Sequence, residues 1–293
     1  MNLVLTVLQI VAPVFLLAGL GAGWVRSGRD YPIGFVTQLA MTLAVPALIF
    51  TALAGTEIAP AALTAVAGAA LAAYLALTGI LWLGTRAAGL ERRTYLAPLV
   101  FGNTGNLGLP LALFAFAETG LDYGVVVFAV MAILQFTYGV WLVAGGGSPA
   151  RVLREPMVVA TLAGAVVLWQ GWTLPAWLMN ALELLGQMAI PLMLLTLGVA
   201  IGRLRPGRLG QAAVLSLGKA ALSAGVALAA AWAFGLEPVA RAVLVLQVMT
   251  PVAVTSYLLA EKYGADAEAV AGLVVVSTLL AVGTLPLALA VLL

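Results

Sequence analysis

The sequence predicts an all-α integral membrane protein of ten transmembrane helices, built as two inverted five-helix repeats with crossed, broken helices 4 and 9. Three observations carry that prediction. Hydrophobic residues make up 64% of the chain and charged residues only 8%, with a mean hydropathy of +1.15; soluble domains carry about 25% charged residues. The apolar residues fall into ten runs, each near the roughly 20 residues that cross a hydrocarbon core. The basic residues, finally, alternate between the loops that join those runs.

In chain order the runs are 2–25, 32–54, 60–84, 95–118, 121–144, 156–170, 175–201, 209–235, 238–260 and 267–291. The first lacks a basic leading region and exceeds the apolar core of a signal peptide, so it reads as a mature helix. The sixth is short, and "WQGWTLP" marks its boundary with the seventh. Ten spans place Arg26, Arg29, Arg86, Arg92, Arg93, Arg151, Arg154, Arg203, Arg205, Arg208 and Lys262 on one side and Arg241 alone on the other. Basic loops stay cytoplasmic, so both termini are expected outside a cytoplasmic (inner) membrane. The seven Trp residues fall near run ends, as an interfacial belt requires. Short loops leave no place for a soluble domain.

Symmetry follows from the count. "GGGSPARVLREP" at 145–156 divides five runs from five, giving a first repeat over 1–145 and a second over 156–293. An odd number of spans per half sets the two halves in opposite orientations. "LAVPALIF" (43–50) echoes "MAIPLMLL" (188–195), with Pro46 and Pro191 145 residues apart, and "AETGLDYG" (117–124) echoes "AEKYGADA" (260–267) at an offset of 143.

Run 4 contains "FGNTGNLGLPLAL", three glycines, two asparagines and a proline inside an apolar segment. Gly costs about 1 kcal/mol and Pro about 3 in a helix interior, so a continuous helix is not expected there. Run 9, "LVLQVMTPVAVTSYLL", also carries a central Pro. Paired breaks at corresponding depths of inverted halves point to a transporter binding site. Pro110 and Pro251 suit the first position of a second half-helix, and Thr250 suits the N-cap before it. Half-helix N-termini that meet centrally offer free N–H groups and partial positive charge to an anion. Asn103, Thr104 and Asn106 add polar side chains, while Gly105 and Gly108 admit close approach to the backbone. A small carboxylate-bearing substrate is the expected ligand. The same polar and small residues also serve helix packing in membranes.

"NTGNLGLPLAL", the following "AETG" and "VPALIF" in run 2 together resemble the auxin efflux carrier family, whose plant members include the PIN-type carriers, and the resemblance extends over essentially the whole chain. It implies ten helices in two inverted repeats, broken helices 4 and 9, and a crossover unit moving against a scaffold in an elevator-like cycle. It further implies a homodimer through the scaffold helices, and substrates such as auxin or dicarboxylates. The long cytoplasmic loop of many plant members is missing here, so its phosphorylation control does not carry over.

Two charges fall deep inside runs, where they are costly and mark function or a buried ion pair. Glu183 in run 7 and Lys219 in run 8 have similar expected depths and could pair or serve coupling. Other classes are excluded by composition. The chain has no Cys and no His, which removes thiol chemistry, His-containing metal sites and Ser-His or Cys-His dyads. No cofactor or metal is expected. Asp30, Asp122 and Asp266 read as loop residues, so an intramembrane aspartyl protease does not fit, and the chain is not expected to be an enzyme. The net charge of +2 reflects loop arginines facing anionic lipid, not nucleic acid. The alternatives left open are a sodium- or proton-coupled symporter or antiporter of the bile-acid-symporter-like fold, or a passive channel.

Overall fold

A computed structural model describes residues 3–145 and 156–292. Arg151 and Arg154 of the central loop, and the terminal positions 2 and 293, lie outside the described residues. Helices make up the fold, with no strand among the described residues: α1 (Leu3–Arg26), α2 (Ile33–Leu39), α3 (Val45–Gly55), α4 (Pro60–Ala87), α5 (Arg92–Val100), α6 (Leu109–Leu134), α7 (Val140–Ala144), α8 (Pro156–Gln170), α9 (Ala176–Gln187), α10 (Ala189–Arg203), α11 (Leu209–Ala233), α12 (Pro238–Val248), α13 (Val254–Tyr263) and α14 (Ala267–Leu292). Three π-helical turns complete them. Ala40–Ala44 joins α2 to α3, Thr104–Gly108 leads into α6, and Gln135–Gly139 joins α6 to α7.

Each apolar run corresponds to helix. Among the described residues, 7 helices are long and apolar enough to cross a membrane: Leu5–Arg26, Ile33–Gly55, Pro60–Ala87, Thr104–Ala144, Ala176–Arg203, Leu209–Ala233 and Ala267–Leu292. The shorter apolar helices Pro156–Gln170 and Pro238–Val248 match run 6 and the first part of run 9. Runs 4 and 5 share the 41-residue helix Thr104–Ala144, which is sharply bent where Phe116 (φ −135°, ψ 17°) and Ala117 (φ 53°, ψ −147°) leave helical geometry. A positive φ is strained for a residue with a Cβ, and here it turns the chain between the two runs.

Packing divides the helices into two groups. In the first, α1 lies along α10, and α3 packs on α8 and α9. The α1–α10 seam is backbone against backbone: a Cβ on Gly198 would collide with the Ala18 carbonyl, and one on Gly21 with that of Leu195. Small residues allow this approach where no hydrophobic effect drives helices together. In the second group, α4, α11 and α14 surround α12 and α6.

The ends of the bundle follow from charge. Arg93 donates to the carbonyls of Val143 and Tyr263, Arg203 to that of Tyr31, and Arg208 pairs with Asp266 at 2.8 Å. These contacts gather the basic helix ends at one end of the bundle. All seven Trp side chains are exposed on the outer surface, and Arg29, Arg92 and Arg241 lie over the rings of Trp24, Trp82 and Trp232. An apolar ring with a cation over its face suits a lipid–water interface.

Candidate functional site

Helix α5 stops at Val100 and runs directly into extended chain, whereas α12 stops at Val248 and leaves the helix through a turn at Met249. Pro251 has no N–H to donate and biases Thr250 away from helical angles. The two extended stretches cross and pair antiparallel at Gly102 and Val252, where the Asn103 N–H donates to the Pro251 carbonyl at 2.7 Å. Only glycine fits at position 102, because a Cβ there would strike the Thr250 hydroxyl. The strand from α12 is held on two further sides. The Val252 N–H donates to Ser277 Oγ of α14 at 3.0 Å, and Lys219 Nζ of α11 donates to the Thr250 carbonyl at 2.7 Å.

The second half-helices start directly beyond the crossing. Thr104 opens one, with Asn103 at its N-cap, and Val254 opens the other, with Ala253 at its N-cap; neither end has a side-chain cap. The first N–H groups of a helix have no partner within it. Asn103 is a good capping residue, yet its Nδ2 is buried and unpartnered, as is the Thr104 hydroxyl. Asn106 is half-buried and makes no side-chain hydrogen bond within the described residues.

Both N-termini open on the same space. A cavity of about 40 Å³ is lined by Asn103, Gly105 and Asn106 from one half-helix and by Ala253, Val254 and Thr255 from the other. A second cavity of about 40 Å³ continues past Asn106, Val254 and Thr255 to Thr37 and Thr196. Among the described residues no charged one lines either cavity. Met41, Met131 and Met157 wall the first and Met193 closes the second, soft side chains that repack at little cost. The donors of two helix ends in an otherwise apolar enclosure are what an anion needs in place of water. Each cavity has room for only a few water molecules; a carboxylate requires the walls to move apart.

Of the residues singled out from sequence, Asn103, Gly105 and Asn106 line the cavity. Thr104 is fully buried beside them. The glycine at 108 is occupied otherwise: a Cβ on it would strike the Gln247 amide, which donates at 3.4 Å to the Gly124 carbonyl. Three expectations need correcting. The half-helix of run 4 begins at Thr104, so Pro110 is not its first residue. The π turn explains this, because the Gly108 N–H reaches back five residues to the Asn103 carbonyl, a wider register that carries the helix into a Pro lacking its own donor. Likewise Pro251 precedes the first helical residue Val254 by three positions, and its carbonyl, not its ring, serves the crossing. Thr250 caps nothing ahead of it; its hydroxyl turns back to the Gln247 carbonyl at 2.6 Å, at the end of α12.

Glu183 and Lys219 do not pair. Among the described residues the one ion pair is Arg208–Asp266. Lys219 is 3% exposed and bonded to the crossing, whereas Glu183 is exposed and lines a separate cavity of about 620 Å³ with Glu118 and Asp122. Similar depth along two helices does not make them neighbours, and α9 packs on α3 while α11 packs on α4, α12 and α14. Asp122 is not in a loop either. It lies within α6, buried, and accepts from Thr56 Oγ1 at 2.5 Å.

Sequence reading passed over Thr255, Met41 and the cavity role of Gln135. Gln135 joins two helices at the cavity wall, its Nε2 donating to Thr255 Oγ1 at 3.0 Å. All three π-helical turns contribute to that wall, through Met41, Asn106 and Gln135; such turns recur at functional sites, yet no residue type in them announces the distorted register.

Comparison with known proteins gives a family and a relative. A family model described as membrane transport protein matches residues 6–152 and 147–289. A protein of Rhizobium meliloti (strain 1021) described as "Putative malonate transporter" is 26% identical over 200 residues, covering 63% of this chain and 62% of that one. The match therefore spans less than two thirds of the relative's length.

Proposed function

The chain belongs to the membrane transport protein family, that of the auxin efflux carriers, and is a transporter rather than an enzyme; we propose that it is a secondary carrier of small organic anions bound at the crossing. The observation that carries this reading is that two half-helix N-termini, neither capped by a side chain, open on one cavity. Each end presents roughly half a positive charge, and among the described residues no carboxylate lines the cavity to favour a cation instead. The R. meliloti protein's name supports a dicarboxylate such as malonate, and the auxin carriers an aromatic monocarboxylate.

In this reading the chain crosses the membrane ten times. The bend at Phe116–Ala117 separates spans 4 and 5, Pro156–Gln170 is span 6, and α12 with α13 forms span 9. Residues 1–145 and 156–293 are inverted repeats. The group around α6 and α12 moves as one body against the scaffold of α1, α3 and α8–α10, carrying the substrate between the two faces, and scaffold helices form a homodimer contact. The termini face outward from an inner membrane. Because the chain lacks cysteine, single cysteines placed at positions 2 and 293 are expected to react with an impermeant thiol reagent from outside only; labelling from the cytoplasmic face alone overturns the orientation.

Counterflow tests the transport reading. Liposomes containing the purified protein and preloaded with unlabelled malonate or indole-3-acetate are expected to accumulate the labelled acid transiently and saturably. Linear, unsaturable equilibration would identify a channel, and no anion-dependent flux across a panel of organic acids would end the proposal.

A further inference from the structure

Lys219 is the one charged side chain buried in the group of helices around the crossing among the described residues, apart from Asp122 near the bend of α6. Its place is specific. The ammonium meets the Thr250 carbonyl at 2.7 Å, just past the C-terminus of α12, where the partial negative charge of a helix end favours a cation. It does not line the cavities, so the substrate does not touch it. Among the described residues no carboxylate neutralises it. The titratable or charged side chains on the helices packed against α11 are Tyr74 and Arg86 on α4, Arg92, Arg93 and Tyr95 on α5, Arg241 on α12 and Glu268 on α14, and none is bonded to it. The residue 145 positions earlier, at the offset of the repeat, is Tyr74, buried and neutral with an unpartnered hydroxyl. The charge is thus carried by one half only.

We propose that Lys219 is the charge-compensating residue of the moving unit, travelling with the crossing and offsetting the charge of the bound anion. This rests on the proposed carrier cycle. A unit loaded with a monoanion then crosses the membrane field with little net charge from the site, while the empty unit returns with one positive charge. Membrane voltage therefore acts on the empty unit, and an inside-negative potential draws it inward. A charge that crossed the whole field would shift the populations about fiftyfold per 100 mV, and one that crosses part of it shifts them several-fold.

The empty unit can be followed without any substrate. In the cysteine-free chain, Thr255→Cys places one thiol at the cavity, and its rate of reaction with an impermeant reagent is measured from each face of oriented membrane vesicles clamped by valinomycin and potassium gradients. The inside-to-outside rate ratio is expected to rise several-fold as the interior is made 100 mV more negative. Lys219→Met should flatten that response, Lys219→Gln should flatten it while keeping a donor for Thr250, and Lys219→Arg should retain it. Exposed charges at the ends of the helices move equally in all four proteins, so the difference isolates Lys219. Equal voltage responses in the Lys219→Gln and parent proteins, with access from both faces, overturn the charge role and leave the carrier reading standing. Access from one face alone at every potential, in every variant, overturns both.

Discussion

Asn106→Ala is expected to leave the protein folded and to lower its affinity for an organic anion ten- to a hundredfold. The side chain is half-buried, borders both cavities at the crossing and makes no hydrogen bond within the described residues. Its removal therefore breaks no internal bond. What it removes is an amide donor placed one turn from a helix N-terminus, and a hydrogen bond to a charged group contributes about 1.5–3 kcal/mol, which is the stated range in affinity. Isothermal titration or a concentration series in counterflow measures it, with the thermal unfolding midpoint as the control for folding. Unchanged affinity with unchanged stability would mean that the anion is held elsewhere, and the large cavity beside Glu118, Asp122 and Glu183 would be the next place to look.

Gly102→Val is expected to do the opposite, abolishing transport at every substrate concentration because the crossing itself opens. A Cβ at position 102 collides with the Thr250 hydroxyl and comes within 2.9 Å of the Thr250 carbonyl. A branched side chain must push the two strands apart. That separates the Asn103 N–H from the Pro251 carbonyl and pulls Thr250 away from Lys219. Overpacking with the loss of a buried hydrogen bond costs about 3 kcal/mol or more, visible as a clearly lowered unfolding midpoint in detergent. A Gly102→Val protein that melts and transports like its parent would show that the strands need not touch. The two substitutions lie four residues apart, yet one reports on the ligand and the other on the scaffold that presents it.

The helical runs, the two breaks and the polar residues beside them could be read from sequence because their causes are local. A bilayer core leaves helix as the economical state for an apolar run of about 20 residues, so the runs appear as helices with boundaries displaced by a few residues. Pro251 and the glycine-rich stretch 102–108 break helices by their own covalent structure, whatever surrounds them. Asn103 and Asn106 stand out because amides are expensive in an apolar segment without a purpose.

Which groups meet across helices was decided by tertiary structure alone. Glu183 and Lys219 agree in depth, but depth fixes a position along a helix and not which helices are neighbours; α11 packs against α12, so Lys219 meets the Thr250 carbonyl instead of a carboxylate. The half-helix starting points moved in opposite directions: from Pro110 back to Thr104, because a π turn carries helix into the Pro, and from Pro251 on to Val254, because antiparallel pairing at Gly102 and Val252 holds the chain extended. Thr255, Gln135 and Met41 entered the cavity wall through π-helical turns and a contact spanning 120 residues. The sequence by itself determined the solvent, the helices and where they break, since each depends on the residues of one segment. The partners of each broken end depend on how separate segments pack, and no single segment carries that information.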